Sequence, residues 1–145
     1  MDTEVYAVTV CVLIHRGDSW LLVVRAPGLE YAPNMIGMIG GHVGLTRPLA
    51  DVFEATARRE VAEEVGLDLS QVPLRYLESE FFVTDGGERQ ITVTFTAQAP
   101  PEAEPYVNAP DELTEVGWWT LNDLDADVRC PSWLPPLIRR AALAS

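Results

Sequence analysis

Glu60, Glu63 and Glu64 crowd the stretch Arg59-Glu60-Val61-Ala62-Glu63-Glu64. On a helix turning about 100° per residue, these three carboxylates fan over roughly 100° of one face, with Glu60 in the middle. At the four-residue spacing Glu54 can pair with Arg58, and Glu63 with Arg59. Glu60 and Glu64 have only each other at that spacing, and like charges so placed cost a few tenths of a kcal/mol. The shortfall suggests a missing cation. A small hard cation such as Mg²⁺ takes oxygen ligands, typically one or two carboxylates together with waters and substrate phosphate oxygens. The glycine pair Gly40-Gly41 could bring a backbone carbonyl to the same place, because glycine permits close approach.

The segment that must carry these groups runs over residues 40–67: paired glycines, a loop, then a helix. Thr46 and Pro48 suit a first turn, and Gly66 stands where the helix should stop. An acidic patch on a helix is usually a solvated face, and a glycine pair is usually a turn. Only the joint order of Gly-Gly, loop, helix start and Arg-Glu-x-x-Glu-Glu-x-Gly singles this stretch out.

That order resembles the box of the Nudix hydrolase family. Arg59, Glu60, Val61, Glu63, Glu64, Gly66 and Leu67 match its second half residue for residue. Asp51 stands where the box has glutamate. Strict counting puts Leu45 at the position of the box glycine, so Gly41 is reached across about four extra residues near 46–49. Just before the glycines, Ile36 and Ile39 replace the tryptophan and proline common in the family, so substrate preference is not inherited.

The resemblance implies an α/β Nudix fold, an α/β/α sandwich around a mixed β-sheet. It implies a metal-dependent pyrophosphohydrolase acting on a nucleoside diphosphate linked to some group X. Glu60 and Glu64 would ligate Mg²⁺, with Mn²⁺ as a substitute, and the Gly40 carbonyl would complete the set. Glu63 would hold a second ion or orient water. Gly41, Asp51, Arg59 and Gly66 would be structural, with an Asp51–Arg59 ion pair bracing the loop against the helix. The general base stays open between a box glutamate and Glu112, an acid in the loop before a tryptophan-bearing strand, with Glu115 second. Arg25, ending a strand beside a loop, would touch substrate phosphate or the box acids.

The chain as a whole bounds these expectations. Its 145 residues suit one domain, 1–145, large enough for a real core. A hydrophobic content of 48% with 22% charged residues argues for a globular chain. The net charge of −12 repels a phosphate backbone, so a small nucleotide and not a nucleic-acid polymer is the expected partner. Relatives leave a homodimer open. Cys11 and Cys130 form no CxxC, and Asp2 and Glu4 replace the basic start of a signal peptide. No apolar run reaches membrane-spanning length, so a cytoplasmic protein without a membrane partner is expected.

In chain order, residues 6–14 and 20–25 read as a hairpin of buried strands around a turn at 15–18. Residues 26–34 form a loop, and 35–39 a short strand into the glycines. A strand over 74–83 turns at Asp85-Gly86-Gly87 into a second over 89–98. There Ile91, Val93, Phe95 and Ala97 share the buried face, leaving Thr92, Thr94 and Thr96 toward solvent. Residues 100–110 hold four prolines and should form a surface loop, with Tyr106 a candidate for stacking on a base. A strand over 116–121 and a short helical start over 121–127 follow. The last helix spans 131–144, with Trp133, Leu134, Leu137, Ile138 and Ala141 as its apolar stripe.

Two further readings compete with the hydrolase. A nucleotide-binding or regulatory module without turnover would explain the altered first half of the box. A Ca²⁺-binding protein would need a loop spacing that the chain lacks.

Overall fold

The computed structural model describes residues 3–144. Its centre is β1 (Ala7–Arg16), whose residues Val10, Val12, Leu13 and Ile14 have no solvent exposure. A strand buried on both faces needs the unbroken apolar run found there. β1 turns at Gly17, where φ is +57°, into β2 (Ser19–Arg25). The two strands pair only from Ile14↔Leu21 to Arg16↔Ser19 and then part. Into the opening come β3 (Ile36–Gly37), on β2, and β4 (Ile39–His42), on β1. The single short strand expected over 35–39 is therefore two pieces. Met38 is the crossing point between the diverging halves of the sheet.

The far edge of β1 pairs in parallel with β6 (Arg89–Gln98), which pairs antiparallel with β5 (Arg75–Val83). β7 (Leu113–Trp119) lies antiparallel on β2. The sheet is mixed and seven-stranded, running β3-β2-β1-β6-β5 with β4 on β1 and β7 on β2.

One face of the sheet carries α1 (Val52–Val65), whose Ala57, Val61 and Val65 pack on Val10, Val12, Ile14, Val93 and Phe95. The other carries α2 (Leu121–Ala126) and α3 (Leu134–Ala144). Their Leu124, Leu134, Leu137, Ile138 and Ala141 pack on Leu13, Trp20, Leu22 and Trp119. Each fully buried Val or Leu contributes about 1.5–3 kcal/mol. Val61, at the centre of the first layer, is the helix residue whose replacement by Asp would most directly detach α1. The expected α/β/α arrangement is the observed one. Both cysteines are free, and among the described residues no helix is long and apolar enough to cross a membrane.

Three local expectations are corrected. Thr46 and Pro48 do not begin the helix, because Asp51 adopts a left-handed conformation (φ 53°) that interrupts helical dihedrals until Val52. Thr94 and Thr96 are not solvent-facing; they are only 3% and 4% exposed. They lie beside Cys11 and Leu13 on the face that α3 and Leu77 cover. Trp133 is 45% exposed and outside the apolar stripe, since it precedes the first helical residue of α3.

Candidate active site

The candidate site lies where the two halves of the sheet separate. Gly40 crosses β1 so closely that a Cβ there would sit 2.8 Å from the Cys11 sulfur. At Gly41 a Cβ would run into the Glu60 carboxyl, 2.5 Å from Oε1. Only glycine lets the loop press against the helix at both positions. The Gly40 N–H donates to Glu64 Oε2 at 3.1 Å. Glu64 is 5% exposed although it is an acid, because the apolar neighbours of its helical turn seat α1 deeply on the sheet.

Burial is the main reason that the Glu64 carboxyl is pushed up to about 8, with the nearby charges of Glu60 and Glu112 adding to it. The Gly40 amide opposes that rise. Glu60 is raised too, first by burial and then by Glu63 and Glu112, while Arg59 pulls it down. Both carboxyls are thus shifted upward, Glu64 the more strongly because it is the more deeply buried. These glutamates repel, and that repulsion together with burial favours the neutral form of each.

The arginines are placed differently from the helix-surface pairing expected. Arg59 Nη2 contacts Glu60 Oε1 at 3.2 Å and donates to the His42 carbonyl at 3.3 Å. It pairs with the central glutamate instead of Glu63. Among the described residues no Asp51–Arg59 ion pair forms; Arg59 braces the glycine loop through the His42 carbonyl. Arg58 turns away from Glu54 and donates to the carbonyls of Leu69 and Val72, at 3.1 and 3.0 Å. Glu60 is therefore not short of a positive neighbour. Glu64, more deeply buried, is the one without an arginine bond.

Glu112 arrives from the loop before β7, and its charge acts on both Glu60 and Glu64. Its carbonyl accepts the Ala26 N–H at 2.9 Å, next to Arg25. Arg25 donates from Nε to the Tyr31 carbonyl at 2.9 Å, and its aliphatic stem lies along Gly37. Glu115, the second choice, is committed to Arg129 at 3.0 Å. Glu63 is exposed on the outer side of the fan. Tyr106 is not brought to the acids. Its ring lies over Gly66, beside Arg58 and Ala62 on the opposite side of the helix. His42 and Asn108 were not singled out from the sequence. Adjacency to Gly41 would have flagged His42; nothing local flags Asn108.

The donors around Glu64 are oxygens, which suits a hard cation. Among the described residues no three His, Cys, Asp or Glu side chains form a ready cation cage. Two carboxylates and a backbone carbonyl, with remaining positions left to water and phosphate oxygens, are the habit of Mg²⁺. The residues present fit that ion, whose charge would offset the repulsion between the two carboxylates.

Residues 5–140 match the NUDIX domain. The chain is 32% identical over 121 residues to the NAD-capped RNA hydrolase NudC of Deinococcus radiodurans, covering 81% of this chain and 39% of that protein. It is 26% identical over 121 residues to NudC of Mycobacterium tuberculosis, covering 83% and 35%. The chain thus spans well under half the length of these curated relatives. The crystal structure of a MutT NUDIX hydrolase from Burkholderia pseudomallei superposes with a TM-score of 0.76 at 25% identity, covering 94% of this chain and 98% of that one. The NUDIX domain of Shewanella oneidensis NrtR, complexed with ADP ribose, superposes with a TM-score of 0.75 at 21% identity, covering 98% and 90%. With the match extending over nearly the whole chain and enclosing this carboxylate cluster, the chain belongs to the Nudix hydrolase family.

Proposed function

We propose that the protein, as one Nudix domain over residues 1–145, is a Mg²⁺-dependent pyrophosphohydrolase that cleaves the P–O–P linkage of a nucleoside diphosphate joined to a further group. The observation that carries this reading is the Glu60–Glu64 pair beneath Gly40 and Gly41, Glu64 buried and Glu60 half-buried, within reach of the charge of Glu112. Mg²⁺, when bound, supplies charge neutralisation along the diphosphate and acidifies water. Glu60, Glu64 and the Gly40 carbonyl would hold it. Arg59 keeps Glu60 oriented and ties the glycine loop to the helix. Arg25, at the end of β2, offers its charge to a substrate phosphate. Glu112 is placed to accept the proton of an attacking water, with Glu63 the alternative.

The substrate class follows from shared chemistry. The relatives' names mention an NAD cap and ADP ribose, and both contain an adenosine diphosphate joined to a further sugar. The net charge of −12 favours a small nucleotide over a long RNA. The test incubates the protein and Glu64→Gln with Mg²⁺ and a panel of NAD, ADP-ribose, nucleoside triphosphates, dinucleoside polyphosphates and NAD-capped RNA, identifying each product. Mg²⁺-dependent release that is lost in Glu64→Gln supports the assignment. Tight nucleotide binding with no product from any substrate would favour the non-hydrolytic module.

A further inference from the structure

Residues 100–112 leave β6 and lie against the C-terminal end of α1 before reaching β7. The last carbonyls of a helix have no partner within it. Here the loop supplies donors. The Tyr106 N–H donates to the Val65 carbonyl at 3.1 Å, and the Asn108 N–H to the Glu64 carbonyl at 2.9 Å. Asn108 Nδ2 adds a bond to the Ala62 carbonyl at 3.3 Å. The Tyr106 ring occupies the space over Gly66, where a Cβ would come within 2.6 Å of the ring Cζ. Gly66 itself is left-handed, at φ 70°, so two separate demands require glycine there.

From this fastening to Glu112 the chain has little slack. The Ala109 carbonyl accepts both the Glu112 N–H, at 2.9 Å, and the Leu113 N–H, at 3.0 Å. Beyond them, the Glu112 carbonyl is fixed to Ala26. Asn108 is thus bonded to the backbone of Glu64, and Glu112, four residues on, is near enough for its charge to act on the carboxyl of that same residue. Three carboxylates brought together repel, and an exposed loop carrying one of them would swing away unless held.

We propose that Tyr106 and Asn108 are positioning residues: they clamp the loop to the end of α1 and so set where the Glu112 carboxylate stands against Glu60 and Glu64. The proposal rests on the pyrophosphohydrolase reading and deepens it. It also separates two roles for Tyr106. A ring that stacks on a base acts on KM, whereas a ring that clamps the loop acts on kcat.

The test uses Tyr106→Ala, which removes the ring, and Asn108→Asp, which replaces a donor by an anion of equal size at the negative end of a helix. Misplacing a reacting group by about 1 Å costs up to about 100-fold. Each variant should therefore lose about 10- to 100-fold in kcat with KM held within about twofold, and Tyr106→Phe should retain wild-type kcat. In a Glu112→Gln background each should add less than about a further twofold, because the group being positioned is already gone. A readout independent of turnover is the distance between spin labels at Glu112→Cys and Glu54→Cys, in a Cys130→Ser background. It should broaden in both clamp variants. An unchanged distance distribution, a rise in KM without loss of kcat, or full additivity with Glu112→Gln would each overturn the proposal. If the unaltered protein hydrolyses nothing in the nucleotide panel, the function falls, and the distance measurement alone decides the clamp.

Discussion

Two clusters of acids sit at opposite sides of β7, and they behave in opposite ways. Asp127 and Glu115 surround Arg129, which contacts them at 2.7 and 3.0 Å. The Arg129 side chain and backbone N–H hold the Asp127 carboxyl far below the usual carboxylate range. Glu60, Glu64 and Glu112 are gathered with a single arginine among them, on Glu60, and the buried Glu64 carboxyl rises to about 8. The residue types are the same. What separates them is countercharge and burial: one cluster pairs both its carboxylates with Arg129 within the protein, and the other holds more carboxylates than countercharge.

The comparison is broken most severely by removing the carboxylate that makes the second cluster incomplete. Glu64→Gln should lose at least about 100-fold in Mg²⁺-dependent turnover. The metal-free variant should keep a melting midpoint at or above that of the natural protein, because a buried ionisable group becomes neutral. Steady-state rates and thermal melts on one preparation check both; a variant that melts far lower would make Glu64 structural.

The pH dependence of stability sharpens the contrast. Glu64 is raised in the folded protein, so between its unfolded value near 4.5 and about 8 the folded state binds more protons than the unfolded one. Stability of the metal-free protein from this group is present below pH 4.5 and falls as pH rises toward 8. Asp127 is lowered, so its contribution is present above the ordinary carboxylate range and is lost only on acidification. Saturating Mg²⁺ should replace the Glu64 proton and flatten the neutral limb. Melting midpoints from pH 5 to 8, with and without Mg²⁺, measure this, and identical curves would remove the cation from the site.

Arg59→Ala should cost about tenfold in rate, by freeing Glu60 and the His42 carbonyl, with little change in melting. The smallest effect is expected in the complete cluster. Asp127→Asn should lower the midpoint by about 2–4 °C and leave kcat within about twofold. A large activity loss there would mean the two clusters are coupled through β7.

Much of this architecture was legible because it is local. The apolar run of β1 and the alternation of β6 mark strands. Glycine and glutamate spacing identified the box; of the two acids weighed beside it, Glu112 acts by its charge on Glu60 and Glu64, whereas Glu115 pairs with Arg129. Other features were not legible. Helix-surface spacing pairs Arg59 with Glu63, yet Arg59 reaches the loop and Glu60, because the loop presents a carbonyl that a lone helix does not have. Alternation in β6 makes its threonines look solvated, but α3, from the far end of the chain, covers them. Tyr106 resembles a free aromatic in a proline-rich loop until Gly66 is seen beneath it.

The amino-acid order by itself determined on which helix and loop the candidate carboxylates and glycines stand, since helical period and glycine's freedom act over a few residues. Tertiary structure alone decided which glutamate is buried, which carbonyls and carboxylates the arginines meet and where the chain carrying Glu112 is tied. Solvation and charge at a site are summed over everything folded around it, and here that includes segments nearly fifty residues from the box glutamates.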